Sequence, residues 1–182
     1  MRPIYIYGSS VLRQVAQPID ASYPALQALI AEMFESMEKS DGVGLAAPQI
    51  GLSIRLFVID ASAFSDNYPE AKGFRRAFIN AQILEYGQET CSFNEGCLSL
   101  PGLHSDVVRP TSFRMRYCDE QFVEHEEMFS GIVARVIQHE YDHLEGKLFV
   151  DRLSNVKRRL LQRRLKNIAS GNFEADYPCR LE

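Results

Sequence analysis

Residues 24 to 38 carry the first clear pattern in the chain, with Leu26, Ile30, Met33, Phe34 and Met37 recurring at helical spacing. Pro24 suits a first helical turn, and Gly42, after Ser40 and Asp41, stands where a helix stops. An N-terminal amphipathic helix is predicted. Between it and about residue 129 the pattern shifts to short β-rich runs, Ile54–Asp60, Arg76–Ala81, Ile83–Tyr86, Ser112–Tyr117 and Gln121–Met128, separated by turn-like stretches such as Ser65–Pro69. These read as short antiparallel strands. From Ser130, a good N-cap residue, Ile132, Val133, Val136, Ile137, His139 and His143 again recur at helical spacing, and Gly146 is placed to end that helix. A strand-like Lys147–Val150 follows. Ser154 then caps a last helix in which Val156, Leu160, Leu161, Leu165 and Ile168 are expected to face inward, with Gly171 ending it.

No repeat, low-complexity segment or linker divides the sequence, and 182 residues suit one domain. The expected fold is therefore α+β, one globular domain over residues 1–182, with antiparallel strands around a central helix, an N-terminal helix and a C-terminal helix. At 46% hydrophobic and 24% charged residues the composition is that of an ordinary globular protein, which excludes disorder and fibrous repeats. The first residues lack the apolar stretch of a signal peptide, and no run approaches the roughly 20 apolar residues of a membrane span, so a cytoplasmic setting without membrane contact is expected. Four scattered cysteines do not make a disulfide scaffold.

The net charge is −4, yet residues 152 to 166 hold Arg152, Lys157, Arg158, Arg159, Arg163, Arg164 and Lys166 with no acidic residue. Arg159, Arg163 and Lys166 fall at i, i+4 and i+7 of the last helix and make a basic stripe. A local polyanion contact is expected from this, not sequence-specific nucleic-acid binding.

The candidate chemistry sits on the middle helix. His139-Glu140-Tyr141-Asp142-His143 is an HExxH motif, whose four-residue spacing stacks two imidazoles on one helical face so that both reach one metal ion. A catalytic site of this kind has three protein ligands and an open position. A metzincin would place a third histidine at position 149, where this chain has Phe149. A thermolysin-like site would use a later glutamate, but Glu145 lies in the same helix and Glu174 follows Gly171 in an irregular stretch. Upstream cysteine, histidine and carboxylate residues are better candidates, and among them Cys97 stands out because Gly96 before it permits close backbone approach.

Three segments together resemble the peptide deformylase family, in the bacterial form that ends in a helix. Gly42-Val43-Gly44-Leu45-Ala46-Ala47-Pro48-Gln49 matches GxGxAAxQ, Glu95 to Ser99 matches EGCLS, and Gln138 to Gly146 matches QHExDHLxG. The resemblance implies a metallohydrolase that removes the formyl group from N-formylmethionyl nascent peptides and releases formate. It implies that Cys97, His139 and His143 bind the metal, with Fe²⁺ the native ion and Zn²⁺, Ni²⁺ or Co²⁺ able to replace it. In that reading a metal-bound water attacks the formyl carbon, Glu140 serves as general base and then acid, and the Gln49 side chain and Leu98 N–H stabilise the developing oxyanion. Val43, Gly44, Leu45 and Val136 are expected to wall the slot for the methionine side chain, and the basic stripe gains ribosomal RNA as a possible partner. A zinc peptidase with a carboxylate third ligand, and a closed metal-stabilised binding module using Cys91, are the competing readings.

Overall fold

The computed structural model describes residues 1–181. Its organising element is a five-stranded antiparallel sheet in the order β2-β3-β4-β7-β8, built from Gly44–Ala46, Leu56–Asp60, Arg75–Tyr86, Ser112–Cys118 and Glu124–Ser130. Strand β3 is apolar and buried from Leu56 to Ile59 because both faces of the sheet are covered there. Leu56 and Val58 join Leu26, Ile30, Met33 and Met37 of helix α1 (Leu26–Lys39) on one side, while Phe57 and Ile59 join Ile132, Val133, Val136 and Ile137 of helix α2 (Gly131–Leu144) on the other. A cluster of stacked rings, with Phe57 and Phe78 centroids 4.8 Å apart, fills the α2 side.

A separate hairpin of β5 (Thr90–Cys97) and β6 (Leu100–Pro110) covers the outer side of α2. Leu100, Leu103 and Val107 of β6 pack with Leu165 and Ile168 of helix α3 (Asn155–Ala169) in a third apolar cluster. The first strand, β1 (Ile4–Tyr5), pairs in parallel with the last, β9 (Cys179–Arg180).

The three expected helices and the α+β character are present, and several expectations are corrected. The segment Lys147–Val150 is not a strand: residues Phe149–Arg152 form a 3₁₀ turn whose start is capped by Asp151, which accepts from the Leu148 N–H at 2.9 Å. Arg76–Ala81 and Ile83–Tyr86 are one strand, β4, with register shifts near Ile79 to Gln82 and Ile83 to Glu85. The run beginning at Gln121 starts its strand only at Glu124, because Asp119 accepts from the N–H groups of Gln121 and Val123 and closes a turn there. The β5–β6 hairpin was not expected from the pattern at all. On α3 only Leu165 and Ile168 are fully buried; Val156 and Leu160 are 70% and 77% exposed.

Candidate active site

Helix α2 is inserted between the five-stranded sheet and the β5–β6 hairpin, so its histidine face meets the hairpin. Ser130 stands at its N-cap, Gly146 at φ 66° turns the chain just after it, and the apolar residues on one side dock it to β2 and β3. That leaves His139 and His143 facing Cys97 at the end of β5. The hairpin register shifts between Gly96 and Cys97, a bulge that re-aims the thiol. Gly96 lets the His104 ring lie against the strand, since a Cβ would come 2.5 Å from His104 Nε2 and turn that exposed side chain aside.

The Cys97 Sγ and one nitrogen each of His139 and His143 lie within 4.8 Å of one another, and Sγ is 3.4 Å from His143 Nε2. Glu95, two residues before Cys97, accepts from His139 Nδ1 at 2.9 Å, which leaves Nε2 of that ring turned toward the thiol. Glu95 is itself held by Arg109, at 2.6 and 2.8 Å, and by Arg135 at 2.8 Å. Burial works against its charge, but the hydrogen bonds from Arg109 and His139 keep its carboxyl far below the usual carboxylate range. Arg109, fully buried, also reaches Asp142 at 2.7 Å, and Asp142 takes two bonds of 2.6 Å from Arg152.

Glu140 lies beside the three donors. Burial raises its carboxyl to about 7 against the pull of His139 and Arg109. Its Oε2 is buried with no hydrogen-bond partner among the described residues. The close fit depends on Gly44, where a Cβ would come within 2.8 Å of the Glu140 Cδ. A cysteine sulfur and two imidazoles converging beside an unsatisfied carboxyl group form a donor set that fits a first-row divalent metal with an open position.

Gln49 closes the opposite wall. Its Oε1 accepts from the Ala46 N–H at 2.8 Å, which fixes the amide so that Nε2 points at Ser99 Oγ, 3.2 Å away, and Cys97 Sγ, 3.6 Å away. Leu98 lies in the two-residue turn that follows Cys97. The cleft in front of these groups holds about 320 Å³, within the ordinary range of small-molecule sites. Val43, Gly44 and Val136 line it. Leu45 does not: its side chain is fully buried in the cluster beneath α1, because successive side chains of β2 face opposite sides of the sheet.

Glu95, Arg109, Ser99 and Tyr177, whose hydroxyl donates to the Leu98 carbonyl oxygen at 2.8 Å, carry parts of this geometry without having been singled out as site residues from the pattern alone. Glu95 was within reach, as a carboxylate two residues from the thiol on the same strand face. Arg109 and Tyr177 carried no local signal.

A family model for polypeptide deformylase matches residues 1–159. The peptide deformylases of Flavobacterium johnsoniae and Cytophaga hutchinsonii are each 50% identical to this chain, covering 96% of it and 93% and 94% of their own lengths. A crystal structure of the peptide deformylase from Thermus thermophilus superposes with a TM-score of 0.83 at 37% identity, covering 95% of this chain and all of that one. With the HExxH helix, the bulged Cys97 strand and the Gly44-to-Gln49 wall assembled around one cleft, and with likeness of this extent in sequence and fold, the chain belongs to the polypeptide deformylase family.

Proposed function

We propose that this cleft removes the formyl group from the N-formylmethionyl ends of nascent peptides, with Cys97, His139 and His143 holding one divalent metal ion and Glu140 carrying the protons. The observation that carries this reading is the convergence of the three donor atoms within 4.8 Å beside a buried Glu140. A divalent ion on that set supplies Lewis acidity, polarising a carbonyl and lowering the pKa of water from about 15.7 toward 7. Fe²⁺ is the ion proposed as native, and Zn²⁺, Ni²⁺ and Co²⁺ suit the same ligands.

The remaining steps belong to the chain's own residues. Glu140, raised to about 7 by burial, is matched to taking a proton from water and returning it to the departing α-amino group, and so to releasing formate. Negative charge on the formyl oxygen needs donors already in place, and the pinned Gln49 amide and the Leu98 N–H are proposed for that role. Val43, Gly44 and Val136 form the apolar side of the cleft, which suits an unbranched thioether side chain.

On α3, Arg159, Arg163 and Lys166 are exposed and make no ion pair among the described residues. This free basic stripe supports a contact with ribosomal RNA, and action on nascent chains supports a cytoplasmic setting. No helix among the described residues is long and apolar enough to cross a membrane.

The deciding assay is formate release from formyl-Met-Ala-Ser by anaerobically purified protein, with metal content measured on the same sample and Glu140→Ala alongside. Formate from the metal-loaded wild type, lost in a variant that keeps its metal, is the expected result. Metal-loaded protein that cleaves free-amine peptides and releases no formate would replace this reading with a peptidase.

A further inference from the structure

The segment from Gly171 to Leu181 lies beyond α3 and beyond residue 159, where the family match ends. It nevertheless returns to the active-site cleft. Strand β9 is held against β1, with the Ile4 N–H donating to the Pro178 oxygen at 2.8 Å and the Ile6 N–H to the Arg180 oxygen at 3.1 Å. That pairing anchors the residue just ahead of it, Tyr177. The Tyr177 ring lines the cleft, and its hydroxyl donates to the Leu98 carbonyl oxygen at 2.8 Å.

The turn that Tyr177 grips is held at its next residue as well. The Tyr7 N–H donates to the Ser99 oxygen at 2.8 Å, and Gln49 Nε2 donates to Ser99 Oγ at 3.2 Å. Leu98 and Ser99 are the whole turn between β5 and β6, directly after Cys97. Their consecutive carbonyls are therefore fastened to two segments far apart in sequence, one on each side of the β1–β9 pair. Apart from Tyr177, no side chain among the described residues hydrogen-bonds the Leu98 carbonyl.

We propose that Tyr177 is a positioning residue for deformylation, its hydroxyl holding the Leu98 turn so that the Leu98 N–H stays aimed at the formyl oxygen. The inference rests on the reading of Leu98 N–H as an oxyanion donor. The carbonyl that Tyr177 holds is joined to that N–H through the Leu98 Cα, so fastening it restricts the backbone torsions by which the turn could swing the donor out of the cleft. Such donors act through being in place before charge develops, and a misplacement of about 1 Å can cost up to about 10² in rate. Burial, with Cys179 and Cys97 adding to it, pushes the Tyr177 phenol well above its ordinary value, so it remains a donor throughout the working pH range.

The test compares wild type, Tyr177→Phe and Tyr177→Ala for kcat and KM on formyl-Met-Ala-Ser, with metal content and Tm measured on each and Glu140→Ala as the control for the site. The phenylalanine variant keeps the ring and removes only the hydroxyl. It is expected to retain its metal, a Tm within about 2 °C and a KM within about twofold, while kcat falls about five- to tenfold, as for one hydrogen bond that secures a donor. Tyr177→Ala should lower kcat at least as far. Unchanged kcat in Tyr177→Phe, with activity still abolished by Glu140→Ala, would overturn the proposal and leave the reading of the site standing. A rise in KM at constant kcat would overturn it in favour of direct substrate contact, and a kcat loss matched by a fall in Tm would overturn it in favour of a purely structural role. Wild type that releases no formate would overturn both.

Discussion

His139 Nδ1 and the Glu95 carboxylate are 2.9 Å apart, and Glu95 is ionised between Arg109 and Arg135, so Nδ1 must donate and Nε2 is the ring nitrogen that a metal ion would take. The orientation of one metal ligand is thus set by a carboxylate whose own charge is secured by two buried arginines. Glu95→Gln keeps the size and one acceptor but removes the charge. Loss of such a partner typically lowers metal affinity by about 10–100-fold, and competition against a chromophoric chelator should read that range. Affinity equal to wild type would mean that packing against Phe149, 6.2 Å from the His139 ring, orients it unaided.

Gly44→Ala should be far more damaging to turnover than to folding. The added Cβ would come within 2.8 Å of Glu140 Cδ, and the carboxylate must move. Nothing else about the strand forbids alanine, since Gly44 has no left-handed φ. General acid–base groups contribute about 10²–10⁴ in rate, so kcat is expected to fall about 10² while metal content stays full and Tm shifts by only a few degrees. A variant with wild-type kcat would show that Glu140 works from a displaced position.

Much of this arrangement was legible because helices announce themselves locally. The apolar spacing of Leu26 to Met37 and of Ile132 to His143 marks both helices, and the HExxH pair is a property of one of them. The hairpin was not legible. Gly96, Pro101, Gly102 and Pro110 break up the local strand pattern in a run that is in fact two paired strands, and the pairing is specified by cross-strand partners that no local pattern contains. The ends of the segments misled for a similar reason: Val156 and Leu160 have helical spacing, yet the apolar contact of α3 with β6 is made by its later turns, where Leu165 and Ile168 are buried. Tyr177 reaches the site through the β1–β9 pairing, a contact between opposite ends of the described chain.

Stability should fall on the acid side through Asp142. Burial alone would raise its carboxyl, but hydrogen bonds and charge from Arg152 and Arg109 hold it below the usual value. A depressed folded-state pKa contributes stability that is complete above the unfolded value of about 3.9 and lost as pH falls through the folded value. Urea unfolding should therefore show stability declining from about pH 5 downward. Asp142→Asn should be less stable at pH 7, since breaking a buried pair costs about 3–5 kcal/mol, a Tm loss on the order of 10 °C at roughly 2–4 °C per kcal/mol. Its decline with acid should also be shallower. A variant curve parallel to wild type would assign the acid limb to other carboxylates.

The basic stripe makes a prediction that salt alone can test. Contacts of lysine and arginine with phosphate weaken steeply with ionic strength. Co-sedimentation with ribosomes should drop between about 50 and 200 mM salt, and reversing Arg159, Arg163 and Lys166 to Glu should abolish it without altering kcat on a short formyl peptide. Binding indifferent to both changes would leave the stripe as a solvated helix face.

Val136 separates substrate binding from core packing. It sits one turn before Glu140 on α2, is 6% exposed, lines the cleft, and also belongs to the cluster beneath the sheet. If its exposed edge meets the methionine side chain, Val136→Arg places a charge in the slot and should raise KM for formyl-Met peptides far more than it lowers Tm. Val136→Ala gives the gentler comparison: each methylene of lost contact is worth about 0.8 kcal/mol, so two raise KM about tenfold for formyl-Met substrates and much less for formyl-Ala, which cannot reach the same wall. A residue that serves only the core would give a different signature, with Tm and kcat falling together and the ratio between the two substrates unchanged. The substrate ratio is therefore the decisive quantity, because a loss of folded protein scales both activities equally and cancels from it.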